Sequence, residues 1–160
     1  MTSWNDLTAA APDLAERAKA LFDAHRHKTL ATLRRDGSPR ISGTELTFED
    51  GEMYLGMMGG SRKAQDLRRD PRLAIHSASD DPDDENPNAW PGDAKVAGHA
   101  VEVTDEAVLA RFSEGAPPGP LHLFKVDLTE LSTVRVGEPA DHLVIDVWTP
   151  TGGIRRIERK

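Results

Sequence analysis

The chain has 160 residues, no cysteine and a formal net charge of −7. That length makes one domain able to bury a full core without staples. The missing thiols exclude disulfides, thiolate metal sites, iron–sulfur clusters and cysteine nucleophiles, and the acidic balance opposes non-specific binding to nucleic acid or anionic lipid.

No eighteen apolar residues follow one another and no basic segment precedes an apolar run near Met1. The expected setting is cytoplasmic, with neither nucleic acid nor membrane as partner. Any redox chemistry must be borrowed from a cofactor.

Pro12 to His25 carries Leu14, Ala18, Leu21 and Phe22 at helical spacing, with charges on the opposite face, and is expected as an amphipathic helix closing an N-terminal segment over residues 1–27. His25 and His27 diverge at its end without a third ligand nearby, so no metal site is expected there. Thr29 to Leu33 alternates as a strand. Asp36-Gly37-Ser38-Pro39 then turns the chain into a second strand, Arg40 to Phe48, and Glu49-Asp50-Gly51 turns it into a third, Met53 to Met57. A three-stranded meander is the economical arrangement.

From Leu55 to Pro71 the chain passes through a glycine turn into a short basic helix. Ser61 stands at the N-cap, the first free amides point outward with the positive end of the helix dipole, and Arg62 and Lys63 add formal charge. A guanidinium fork beside a mobile ammonium suits a phosphate monoester, so this stretch reads as a phosphate-binding corner. The plainer alternative is a turn with an ordinary cap.

Leu73 to His76 is the next expected strand. Asp80 to Asn88 packs five carboxylates beside two prolines and reads as an exposed, mobile loop, since the calcium-loop pattern of alternating ligands with a central glycine is missing. Asp93 to Thr104 alternates as a strand and Asp105 to Phe112 as a capped helix, followed by a loop from Gly115 to Pro120. Leu121 to Leu128, Leu131 to Val136, His142 to Trp148 and Ile154 to Lys160 complete the strands, the last two within a C-terminal segment over residues 137–160. Many short strands with few helices predict a mainly β fold, a closed antiparallel barrel spanning residues 1–160 as a single domain.

The ordered combination of Thr29 to Pro39, Met53-Tyr54-Leu55-Gly56 and Ser61 to Pro71 resembles the pyridoxamine 5′-phosphate oxidase-like family. The resemblance implies an FMN-binding split barrel of antiparallel Greek-key type, and a homodimer with its cofactor at the subunit interface. It places phosphate on Ser61, Arg62 and Lys63, the edge of the isoalloxazine ring on Ser42, Gly43 and Thr44, and the ring face on Met57 and Met58. A glycine between small hydroxyl residues agrees with close approach, and methionine with a polarisable contact. Where the oxidases of the family carry an Arg-Val-Leu-Leu-Lys type run, this chain has Ser42-Gly43-Thr44-Glu45-Leu46-Thr47. The loss of two cations points toward the branch that includes deazaflavin (coenzyme F-420) reductases, in which Arg40, Arg68 or Arg69 would meet the cofactor's anionic tail.

The expected function is therefore a flavin- or deazaflavin-dependent oxidoreductase transferring hydride between the cofactor and a small organic substrate. The competing readings are a non-catalytic cofactor carrier and a haem-binding split barrel using His76, His99 or His122. Tyr54, His76 and His99 are the titratable candidates on strands, and none is assigned a catalytic role. Trp148, Arg155 and Arg156 read as a capping strand, with an alternative in which Trp148 meets the cofactor of a partner subunit.

Overall fold

The structure is a computed structural model that describes residues 1–114 and 118–160, so the expected loop from Gly115 to Pro120 lies partly outside the described residues. Two helices open the chain, α1 (Trp4–Ala10) and α2 (Pro12–Asp23). The first was not expected. Its start is a reciprocal capping box, in which Asp6 N–H donates to Ser3 Oγ and Ser3 N–H donates to the Asp6 carboxylate at 3.1 and 2.8 Å. It buries Trp4 and Leu7, whereas α2 buries Leu14, Ala15, Ala18, Leu21 and Phe22, the face its spacing predicted.

Among the described residues nine strands follow: β1 (Lys28–Leu33), β2 (Pro39–Thr44), β3 (Thr47–Glu49), β4 (Glu52–Met58), β5 (Arg72–His76), β6 (Asp93–Glu102), β7 (Leu121–Val136), β8 (Leu143–Thr149) and β9 (Gly153–Arg159). Helix α3 (Arg62–Arg69) separates β4 from β5, and α4 (Glu106–Ser113) separates β6 from β7. All pairings are antiparallel, in the order β2-β1-β5-β6-β7-β4-β3, with β8 and β9 extending from the second half of β7. One core fills the interior, built around Phe22, Leu30, Met53, Leu55, Ile75, Phe124, Leu128 and Leu131.

Four expectations change. The stretch from Arg40 to Phe48 is two strands, β2 paired with β1 and β3 paired with β4, broken at Glu45-Leu46. Ile41, Gly43, Glu45 and Thr47 are all exposed across that break. The alternation therefore persists where the pairing partner changes, which hid the break in the sequence. The meander is absent too, because β4 pairs with β3 and β7 and not with β2.

The barrel is not closed by hydrogen bonds, since β2 and β3 end the path; it is split there. Finally, Leu121 to Val136 is one strand, with a register shift opposite Ala97 and Gly98. A Cβ at Gly98 would stand 2.3 Å from the carbonyl oxygen of Asp127. Gly98→Ala is expected to destabilise the fold by about 1–3 kcal/mol, measurable as a lower urea midpoint at unchanged slope.

Asp81 to Asn86 are exposed, as their composition required, and a single 3-10 turn over Pro87–Ala89 closes that loop. No described helix is long and apolar enough to cross a membrane.

Candidate functional site

The split between β2 and β4 holds a groove of about 630 Å³. Gly43 and Thr44 line one wall, Gly56, Met57 and Met58 the other, and Ser61 and Lys63 lie at the start of α3, with Phe112 and Leu121 adding apolar surface. Among the described residues a Cβ on Gly43 would meet nothing within 4 Å and one on Gly56 only Leu121 Cδ1 at 3.9 Å, so both strands offer bare backbone to a flat ligand.

The corner forms as its residues dictate. Gly60 takes φ 75°, which reverses the chain, and Ser61 Oγ accepts the Ala64 N–H at 3.4 Å to cap α3. Gly59 is glycine for another reason. A Cβ there would lie 2.3 Å from Pro120 Cγ, while the Gly59 N–H donates to Pro120 O at 2.7 Å.

Lys63 turns into the groove and donates to Gly43 O, joining α3 to β2 across it. Burial pulls its ammonium below the ordinary lysine range, and the Glu45 carboxylate opposes that shift. Glu45 in turn accepts from Arg26 Nε at 2.9 Å, with His27 Nε2 3.7 Å away, so charged groups crowd one rim.

Six of the eight expected site residues therefore meet in one groove: Gly43, Thr44, Met57, Met58, Ser61 and Lys63. Ser42 and Arg62 are not among its walls. Ser42 is half-buried in the ladder opposite Leu30, and Arg62 faces a second cavity. The two methionines differ as strand alternation requires, Met57 being buried at the groove's floor and Met58 67% exposed at its lip.

The second cavity, about 500 Å³, lies between α3 and the β1–β2 hairpin. Its floor is Asp66, buried on α3, which accepts from Thr32 Oγ1 at 3.0 Å, Arg40 Nε at 2.6 Å and an Arg69 guanidinium nitrogen at 3.0 Å. Burial alone would raise this carboxyl's pKa, but the hydrogen bonds from Arg40, Arg69 and Thr32 outweigh it and hold the group below the usual aspartate range. Arg68 points elsewhere, to Glu102 at 3.1 Å.

The sequence reading missed Asp66, Glu45, Phe112 and Leu121. An aspartate three residues before Arg69 was a visible signal for the first. The others come from separate elements, and nothing local marks them.

The remaining candidates lie away from the groove walls. His76 approaches Asp93 at 3.5 Å and His122 approaches Glu102 at 3.2 Å, while His99 sits half-buried on β6. Among the described residues no group of three or more histidine or carboxylate side chains could hold a metal. Tyr54 is buried against Phe112, with ring centroids 4.7 Å apart. Trp148 belongs to the core, and Arg156, on the largely exposed β9, pairs with the buried Asp146 at 2.7 Å.

A family model described as pyridoxamine 5′-phosphate oxidase matches residues 14–135. No curated protein matches the chain significantly. Among solved structures, the chain is similar to PhzG from Burkholderia lata 383 in complex with tetrahydrophenazine-1-carboxylic acid, with a TM-score of 0.64, 13% identity and coverage of 98% of this chain and 95% of that one. A pyridoxamine 5′-phosphate oxidase-related, FMN-binding protein from Nostoc punctiforme PCC 73102 aligns with a TM-score of 0.62, 16% identity and 96% coverage of each chain. An F420 reductase aligns with a TM-score of 0.51 and 18% identity over 71% of this chain and 94% of that one. At these identities the structures speak for the fold, the split barrel, and the family match covers the elements from α2 to the end of the groove-forming sheet. With the open barrel, the groove in its split and that match together, the chain belongs to the pyridoxamine 5′-phosphate oxidase family.

Proposed function

We propose that the groove holds a flavin-type cofactor, FMN in the first instance, and that the protein is an oxidoreductase acting on a small organic substrate. The observation that carries this reading is Lys63 facing a groove in which the backbone of Gly43 and Gly56 and the apolar side chains of Met57, Phe112 and Leu121 lie opposite a rim of charged groups. The volume lies within the roughly 300–1,000 Å³ usual for cofactor sites. An FMN-binding protein and an F420 reductase among the similar folds support the same class and keep the deazaflavin as the alternative ligand.

A bound flavin supplies the hydride chemistry. The chain's own residues hold and shield it. Lys63 neutralises phosphate charge, the amides at the start of α3 add partial positive charge, and Gly43 and Gly56 admit the ring edge. Met57, Phe112 and Leu121 keep water from the ring face. Ser42 and Arg62 would bear on the ligand only from outside the groove walls.

A homodimer fits this arrangement. Ile41 on β2 and Met58 at the lip of the groove on β4 are 75% and 67% exposed, and a second copy packed against these strands would bury them. Light scattering is expected to give a dimer at micromolar concentration, and a monomer would overturn this part of the reading.

The direct test is titration of the protein with FMN and with the deazaflavin, followed by absorbance and fluorescence. Saturable binding of one of them is expected, and binding of neither would end the proposal. Turnover of the reduced cofactor with an added acceptor separates an oxidoreductase from a carrier.

Affinity for FMN is expected to fall as pH rises from neutral into the alkaline range, because burial makes Lys63 lose its proton earlier than an ordinary lysine. The sign is fixed by charge: the ammonium form holds phosphate and the amine does not. Lys63→Arg, which stays charged throughout, is expected to flatten the profile. An unchanged slope in that variant would remove Lys63 from the phosphate site.

A further inference from the structure

Strands β5 and β6 are antiparallel neighbours, yet residues 77–92 separate them with only a single 3-10 turn of their own. A hairpin needs about 2–5 residues there, and a loop beyond about 12–15 in a compact domain is usually functional or disordered. The base of this one is pinned. His25 Nε2 at the end of α2 lies 2.9 Å from Asp80 Oδ1, Trp90 Nε1 donates to Asp80 O at 2.8 Å, and Asn88 Nδ2 donates to Gly137 O at 2.8 Å. Gly92 packs so closely on β7 that a Cβ there would stand 2.0 Å from Val134 O.

Between that base and α2 lies a third cavity, of about 210 Å³. Its apolar lining is Ala20, Leu21 and Ala24 from the helix end and Ala78 and Pro91 from the loop. Among the described residues it shares no lining residue with the groove or with the arginine-lined cavity. Arg17 closes one end. Its hold on Asp146 is loose, with Nη1 at 3.3 Å, whereas Arg156 grips both oxygens of that carboxylate at 2.7 and 3.0 Å. Among the described residues the other nitrogens of Arg17 make no hydrogen bond. Hydrogen bonds from Arg156 hold the Asp146 carboxyl below the usual aspartate range, and the charges of Arg17 and Arg135 add to that pull. Three guanidiniums thus surround one carboxylate, and positive charge is in surplus at this end. The other end has the opposite character, because the last carbonyls of α2 carry the negative end of its dipole near Ala24.

We propose that this cavity binds a small monocarboxylate with a compact apolar body, its carboxylate on Arg17 and its body between the end of α2 and the loop base. A guanidinium fork pairs with one carboxylate, and a second negative charge would find no second arginine in the lining. Ala20 and Ala24 follow Arg17 on one helix face at about 4.5 and 10.5 Å along the axis, so an apolar body extends from the charge toward them. The volume lies below the roughly 300–1,000 Å³ of larger ligands, which limits that body to a single ring or a short branched chain. Asp80 is turned to His25, and the pair fixes the wall that the loop contributes.

The site stands apart from the flavin reading and is tested on the full chain with benzoate as the probe. Calorimetric titration is expected to show saturable binding, weakened about tenfold or more in Arg17→Met, which removes the charge, and in Ala24→Phe, which fills the cavity. Arg17→Met leaves Asp146 with Arg156, and Ala24 is exposed, so both variants are expected to keep the parent's urea midpoint. Benzyl alcohol, which lacks the charge, is expected to bind more weakly than benzoate by about tenfold or more. Lys63→Ala is expected to keep its benzoate affinity within about twofold, since Lys63 lines only the groove. Absence of saturable benzoate binding would overturn the proposal, as would parental affinity in either cavity variant. A loss in Lys63→Ala as large as in Arg17→Met would place benzoate in the groove and do the same. Benzyl alcohol binding as tightly as benzoate would overturn the assignment to a carboxylate.

Discussion

Replacing Lys63 with alanine is expected to weaken FMN binding by roughly ten- to a hundredfold. A charge-assisted contact to a partly desolvated phosphate contributes about 1.5–3 kcal/mol, and that range converts to the stated factor. Lys63 meets the conditions for the upper part of the range, because it is half-buried and already reaches across the groove to Gly43 O. Its present hydrogen bond is with a neutral carbonyl, so a phosphate replaces a weak partner with a charged one. Arg62→Ala is expected to matter less, since its side chain lies on the wall of the other cavity. Lys19→Ala is the control: that ammonium is exposed on α2 and paired with Asp23, and its loss should change affinity by well under tenfold. Equal FMN affinity in Lys63→Ala and Lys19→Ala, read by fluorescence quenching, would reduce the corner to a turn.

The largest loss of stability is expected at Asp66. Asp66→Ala removes a buried carboxylate and leaves Arg40 and Arg69 facing each other, with Thr32 Oγ1 deprived of its acceptor. Breaking a buried pair on one side costs about 3–5 kcal/mol, a large part of the ~5–15 kcal/mol that holds a domain together. Because α3 carries both Ser61 and Lys63, the loss should also loosen the groove and weaken FMN binding.

The same group sets an acid limit. Its folded pKa lies below the ordinary value of 3.8, so its contribution is complete above that value and is lost as pH falls through the folded pKa. Urea unfolding at neutral pH measures the first effect. A series below about pH 4 measures the second, and Asp66→Asn should flatten that acid step. A variant as stable as the parent would show that the arginines find other partners and that Asp66 does not organise the helix.

Local chemistry made much of this legible. The α2 face, the cap at Ser61, the stop before Pro71 and the hairpin turn at Asp36-Gly37 depend on residues within a few positions of one another, and all appear where the sequence places them. The corner followed from that order of elements, whereas the split barrel was implied by the family resemblance those motifs carry, the strands alone pointing to a closed barrel. Helix α1 was missed because it is only seven residues long and its burial rests on Trp4 and Leu7 alone.

What the sequence by itself determined was therefore the set of elements and a cation-bearing helix start after a glycine turn. Tertiary structure alone decided how that helix divides its charges. Consecutive residues on a helix point about 100° apart, so Lys63 and Arg62 enter different cavities once β2 and the β1–β2 hairpin take their places on either side. It also decided that β2 and β4 stand apart, leaving the split that forms the groove, because strand pairing is a long-range choice that alternation does not encode.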